Sequence, residues 1–355
     1  MGAVTHEYAR DDMEDIERRI ADKHFKPGEG FLQIYAEDPD GQMYCSLLRQ
    51  GRKMCASLPG DKVSLYFVDG VRCQAGADSE LKVVMVWKGM LDLIFKLASL
   101  VTVHARPIPS TYQAAPLPWR NDVKVWLKDG VFDWESPDYW WLHDPEYRAT
   151  FETFTFAIFC FIVLHEVGHF HNLHAVRRME RGAPLEAESA ADRERLERHA
   201  REVIADTYAM QFLMDELKQR QFADETHYHP QRHIAITYAC FTFALISVSA
   251  TFWGFSVAIP MDESHQENFY PGHAFRLRAI QSTALEHGIN GLEPSLAHVL
   301  VSEAMKQSFE ILSAMSDGDF VTWDQPLQNP IHGAHYEKVC EEVRNWSNPF
   351  YGSKN

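Results

Sequence analysis

The feature that most constrains this chain is His165-Glu166-Val167-Gly168-His169, which closes a largely apolar run over 151–164. Histidines four residues apart lie one turn apart on the same helical face, where both imidazoles reach one metal ion. Glu166 between them then faces a water on that ion and can take its proton. The apolar run before the motif is about a dozen residues long and reads as core, so the fold has to be built around this helix.

A catalytic zinc ion keeps three protein ligands and one open position. The third is expected from Glu202-Val203-Ile204-Ala205-Asp206, 33 residues after His169. Its setting, 188–220, is rich in Ala, Glu, Arg, Leu and Met without Gly or Pro, and reads as a long helix. Glu202 completes a His2Glu set with His165 and His169. Asp206, a turn further on the same face, accepts the N–H of a ligating histidine and fixes its tautomer. Small Ala205 and Ala209 let the two helices approach closely.

H-E-x-G-H followed by E-x-x-A-D resembles the gluzincin metallopeptidases, whose third zinc ligand is a glutamate on a later helix. Tyr270-Pro271-Gly272-His273-Ala274-Phe275-Arg276-Leu277 is similar to the His-Pro…Arg-Leu segment that follows that helix in several of these families. There the histidine or arginine approaches the active site and steadies the oxyanion. Here a tyrosine precedes the proline and the histidine comes two residues after it. The resemblance therefore implies His273 and Arg276 as catalytic residues beside Glu166, with Tyr270 a further candidate.

Within that group the arrangement resembles the bacterial phage-exclusion peptidases of the Lit type. It covers 151–278 and draws almost nothing from the first 110 residues. It implies a cytoplasmic Zn2+-dependent endopeptidase of narrow specificity in phage defence or stress response, with a protein or peptide substrate and room for an activating partner. Two other readings stay open: a membrane-embedded zinc protease, and a zinc-binding regulatory module without turnover. The intact Glu166 argues against the second.

Other patterns fail. A metzincin needs H-E-x-x-H-x-x-G-x-x-H, but Asn172 and Ala175 hold the last two positions. His171 and His174 fall round the helix from His169, off the metal-facing side, and read as solvated or capping residues. No G-x-S-x-G, Walker loop or G-x-G-x-x-G occurs. A net charge of −16 opposes nonspecific nucleic-acid binding. Six scattered cysteines without C-x-x-C pairs suit reduced thiols in a cytoplasmic protein. The acidic N-terminus lacks the apolar stretch of a signal peptide.

The expected fold is α+β: a mainly helical zincin-like peptidase domain (119–355) preceded by a small antiparallel sheet. That sheet belongs to an N-terminal region, 1–105, joined through a proline-rich linker, 106–118. Strand-like runs occur at 31–36, 43–48, 63–68, 71–74 and 81–87, with turn signals at Asp38-Pro39-Asp40-Gly41 and Asp69-Gly70. An apolar helix follows at 84–100. The aromatic segment 119–141 reads either as a binding rim or as a loop packed over the core. Asp144-Pro145 starts the motif helix, as cap and first-turn proline, running to about 177. The 27 uncharged residues 234–260 are long enough to cross a bilayer, and an apolar core helix explains them as well. Further helices are expected at 274–287, 296–315 and 337–346, in an otherwise irregular tail.

Overall fold

The computed structural model describes residues 10–38, 40–58, 62–113, 115–120, 122–128, 130–172, 174, 190–222, 230–258, 271–287, 292–323 and 325–346. Helices α1 (Arg10–His24) and α2 (Gly41–Ala56) accompany strands β1 (Gly30–Phe31), β2 (Ser64–Asp69), β3 (Ala75–Asp78) and β4 (Val83–Trp87). The rest is helical: α3 (Lys88–His104), α4 (Val123–Lys128), α5 (Pro145–His171), α6 (Ala190–Phe222), α7 (Pro230–Ala258), α8 (His273–His287), α9 (Pro294–Met315), α10 (Asp319–Thr322) and α11 (Pro330–Trp346).

The sheet is mixed, in the order β1-β2-β4-β3. β2 and β4 are parallel, while β1 and β3 flank them antiparallel. This corrects the expected antiparallel sheet. The Asp69-Gly70 turn does not close a hairpin, because the chain passes over and β3 forms on the far side of β4. Side chains alternate as strand geometry requires. Tyr66, Val68, Met85 and Trp87 pack on Ile20 of α1, whereas Leu65, Phe67, Val84 and Val86 enter the helical core. Buried on both faces, β4 reads as an unbroken apolar run.

The run at 43–48 is not a strand but the first half of α2. Its buried residues Tyr44, Leu47, Gly51, Met54 and Cys55 recur at helical spacing. Gly41 begins this helix because a Cβ there would collide with the Tyr35 carbonyl. The run at 71–74 forms no strand, and 31–36 forms one only at its first residue.

Helix α5 is the axis of the molecule. Asp144 caps it by accepting the Glu146 and Tyr147 N–H groups, and Pro145 occupies its first turn. From Phe154 to His165 every residue is buried, because α2, α3, α6, α7 and the sheet surround it. Helix α7 is the second apolar helix. Both are long and apolar enough to cross a membrane, yet 72% and 67% of their apolar windows are buried inside the protein. The aromatic segment is a lid on this core: Trp119, Phe132, Tyr139, Trp140 and Trp141 are buried, and Trp141 donates to Ser99 Oγ at 3.1 Å.

Helix α6 crosses the C-terminal turns of α5 at very short range. A Cβ on Gly168 would sit 3.2 Å from the Ala205 Cα and the Tyr208 ring. Backbone cannot yield as a side chain can. Gly168→Ala should therefore push the helices apart by a few tenths of an ångström, at about 1–3 kcal/mol for overpacking. The gain of about 1 kcal/mol in helix propensity only partly offsets this. Urea unfolding should show a net loss, and a more stable variant would show that the crossing is not tight.

Candidate metal centre

The crossing of α5 and α6 brings two i,i+4 pairs face to face: His165 and His169 on one helix, Glu202 and Asp206 on the other. Ligand-capable atoms of His165, His169 and Glu202 all lie within 4.8 Å of one another. His165 Nε2 is 3.2 Å from His169 Nε2 and 3.2 Å from Glu202 Oε2. His169 Nε2 is 3.5 Å from Glu202 Oε1. His165 and Glu202 are buried, and His169 is partly so.

The outer nitrogens fix which lone pairs face inward. His165 Nδ1 lies 2.8 Å from Asp206 Oδ1, so it carries the proton that this carboxylate accepts. Its Nε2 then presents a lone pair to the centre. His169 Nδ1 lies 2.9 Å from His174 Nδ1 and donates to it when its own Nε2 faces the centre. Glu202 Oε2 is buried and receives no hydrogen bond. Three potential electron-pair donors thus converge, and their mutual repulsion is relieved by a shared proton in the metal-free chain or by a bound cation. Tetrahedral ligands with bonds of about 2.0–2.1 Å stand about 3.3 Å apart, close to the His165–His169 separation and to the distance from each histidine to its nearer Glu202 oxygen, Oε2 for His165 and Oε1 for His169. The residues present fit a small divalent metal.

Electrostatics agree. Burial opposes the charge on Glu202, but His169 and His165 beside it hold its carboxyl below the usual range. Burial likewise opposes ionisation of Asp206, and the Arg276 guanidinium overrides it. For His165, burial disfavours the cation but Asp206 and Glu202 outweigh it, so its basicity rises. For His169, burial wins and its basicity falls. The metal-free cluster therefore holds a proton that a metal must displace.

Glu166 points elsewhere. Burial raises its pKa from 4.5 to about 7, and the Ala77 backbone on β3 is among the groups that work against the rise. It lines a cavity of about 340 Å³ together with His165, Glu202, His273 and Arg276, against the apolar walls of Met90, Phe161, Ile162 and Phe255. Gln74 and Ala75 line it too, so β3 runs along the cavity mouth. Among the described strands β3 pairs only with β4.

All seven residues singled out from sequence meet here. Arg276, however, has its fork on Asp206: Nε reaches Oδ2 at 2.7 Å and Nη2 reaches Oδ1 at 2.6 Å. It stands behind His165, with its guanidinium over the Phe252 ring. His273 is buried between the rings of Phe252 and Phe255. Tyr270 lies outside the described residues. His171 stacks on Tyr208. His174 corrects the sequence expectation: it is not solvated but buried, 4% exposed, and is the outer partner of His169. A helical wheel cannot find it, because α5 ends at His171 and the wheel no longer applies.

Asp206→Asn keeps the shape but leaves the buried Arg276 charge to the Glu202 carboxylate, 3.7 Å away, and weakens control of the His165 tautomer. Metal affinity should fall by about 10–100-fold, read by competition with a chromophoric chelator. An unchanged affinity would mean that Asp206 serves Arg276 alone.

The family model for Peptidase U49 matches residues 104–283, just over half of the chain. The matched segment contains both helices of the candidate centre and the first turns of α8. The chain is therefore one of the peptidases, and it belongs to the Peptidase U49 family. No curated protein and no solved structure gives a significant match.

Proposed function

We propose that this chain is a zinc-dependent endopeptidase of gluzincin type, with a zincin-like centre held by His165, His169 and Glu202. The observation that carries the reading is the convergence of ligand-capable atoms of His165, His169 and Glu202 within 4.8 Å of one another, beside the Glu166 carboxylate on the helix of the two histidines. Zinc held there would supply Lewis acidity, polarising the scissile carbonyl and acidifying a water. Glu166 takes the proton from the attacking water and returns it to the leaving amine. In this reading His273, which lines the same cavity, steadies the oxyanion. Arg276 acts through Asp206, holding that carboxylate against His165.

The outer edge of β3 offers an extended peptide its main-chain partners, and the apolar cavity receives a side chain. This gives the N-terminal sheet a role in presenting substrate. The six cysteines, none in a disulfide, suit a reducing compartment, and we place the enzyme in the cytoplasm. The resemblance to the Lit-type peptidases supports a narrow substrate range, an activating partner and a part in phage defence. The apolar helices α5 and α7 are mostly covered by protein, so the reading does not call on a bilayer.

The test is to incubate the zinc-replete chain with a bacterial protein extract and sequence the new N-termini. Termini that appear with the chain, vanish with chelator and return with zinc are expected. Cleavage that ignores the chelator would overturn zinc dependence, and no cleavage in extracts with or without phage infection would overturn endopeptidase activity.

A further inference from the structure

Helix α11 lies outside the matched family segment, yet hydrogen bonds link it without a break to the metal-facing histidine. Tyr336, 4% exposed, accepts the Gly272 N–H at 2.9 Å through its hydroxyl. Gly272 immediately precedes α8, where first-turn N–H groups have no acceptor within the helix. The Gly272 carbonyl accepts the Arg276 N–H at 3.0 Å, closing the first turn. The Arg276 guanidinium grips both oxygens of Asp206, and Asp206 Oδ1 accepts from His165 Nδ1.

Packing runs alongside these bonds. The Tyr336 ring stacks on Phe275 with centroids 3.8 Å apart and planes 10° from parallel. Both rings share a small core with Ala200, Val203 and Ile204 of α6, the residues around Glu202. His199 Nδ1 and His335 Nε2, 3.0 Å apart, tie α6 to α11 a second time. Helix α11 thus grips the two helices that carry Glu202, Asp206, His273 and Arg276. A phenylalanine at 336 would satisfy the stacking; only the hydroxyl answers the Gly272 N–H.

We propose that Tyr336 is a positioning residue for the metal centre. Its hydroxyl fixes the first turn of α8, and so sets Arg276 against Asp206 and Asp206 against His165. The inference rests on the metal reading above and adds to it a role for the C-terminal helix.

The experiment follows zinc release from the full-length, zinc-loaded chain into excess chelator, for wild type, Tyr336→Phe, Arg276→Lys and the double variant. Tyr336→Phe should still bind zinc to the wild-type stoichiometry but release it several-fold to about 10-fold faster, as expected when an outer partner of a ligand is loosened. If Tyr336 works through Arg276, the double variant releases zinc no faster than Arg276→Lys alone. Wild-type release from Tyr336→Phe, or a double variant whose rate is the product of the two single effects, would overturn this inference and leave the metal reading standing. A wild-type chain that takes up no zinc would overturn both.

Discussion

Glu166→Gln is expected to bind zinc as the wild type does and to lower peptide-bond cleavage by a factor of about 10²–10⁴, the usual contribution of a positioned general base. Glutamine keeps the shape of the side chain. What it loses is the capacity to take a proton. The three ligand atoms sit on other residues, so metal content should not move. The same carboxylate sets the acid side of the pH profile. Glu166 works only when ionised, and its pKa is raised from 4.5 to about 7 by burial. Activity should therefore fall on acidification and recover as pH rises. Because a bound dication favours the ionised form, the midpoint is expected between those two values. Turnover by Glu166→Gln at the wild-type rate would remove Glu166 from the mechanism. A midpoint below 4.5 would show that the metal outweighs burial.

The centre was legible because both halves of it are written at helical spacing. His165 with His169, and Glu202 with Asp206, are i,i+4 pairs on long helices whose regularity carries the geometry. That α6 packs on α5 at the right height was legible only in part. Ala205 and Ala209 announced a close crossing, and Gly168 is its counterpart on α5. The helices of the C-terminal two-thirds were likewise readable: Asp144-Pro145 marks the start of α5 by cap and first-turn proline, while α9 begins at Pro294, two residues before the expected 296.

What could not be read depends on chain reversals and on contacts distant in sequence. His174 meets His169 from beyond the end of α5, where the Asn172 side chain donates to the Gly168 carbonyl at 2.8 Å. Tyr336 meets Gly272 across 64 positions. The N-terminal sheet was misread for a different reason. Strand period and helix period are hard to separate in six residues, so the start of α2 passed for a strand. The parallel pairing of β2 with β4 leaves no local signature, because it is decided by a crossover and not by a turn. That crossover places the β3 edge beside Glu166, and so gives the N-terminal region its bearing on the site.

Glu202→Ala and His165→Ala are each expected to abolish stable zinc binding and all cleavage, where the wild type carries about one zinc per chain. Stability readings with and without metal separate the carboxylate's own contribution from that of the ion. In the metal-free chain His169 and His165 favour the ionised Glu202 carboxylate, and Arg276 Nη2 stands 3.7 Å from its Oε2, so its removal takes a counter-charge from this buried cluster. Metal-free Glu202→Ala should therefore unfold earlier than metal-free wild type. Added zinc stabilises only a chain that binds it, by about 4 kcal/mol at a thousand times the dissociation constant. Zinc should then raise the Tm of wild type and leave that of Glu202→Ala unmoved. His165→Ala differs, because the Arg276–Asp206 pair survives it, so loss of metal there would follow from the missing ligand and not from collapse of the support behind it. If zinc raised the Tm of all three chains equally, it would be binding elsewhere, and the crossing of α5 and α6 would be a packing arrangement without a metal.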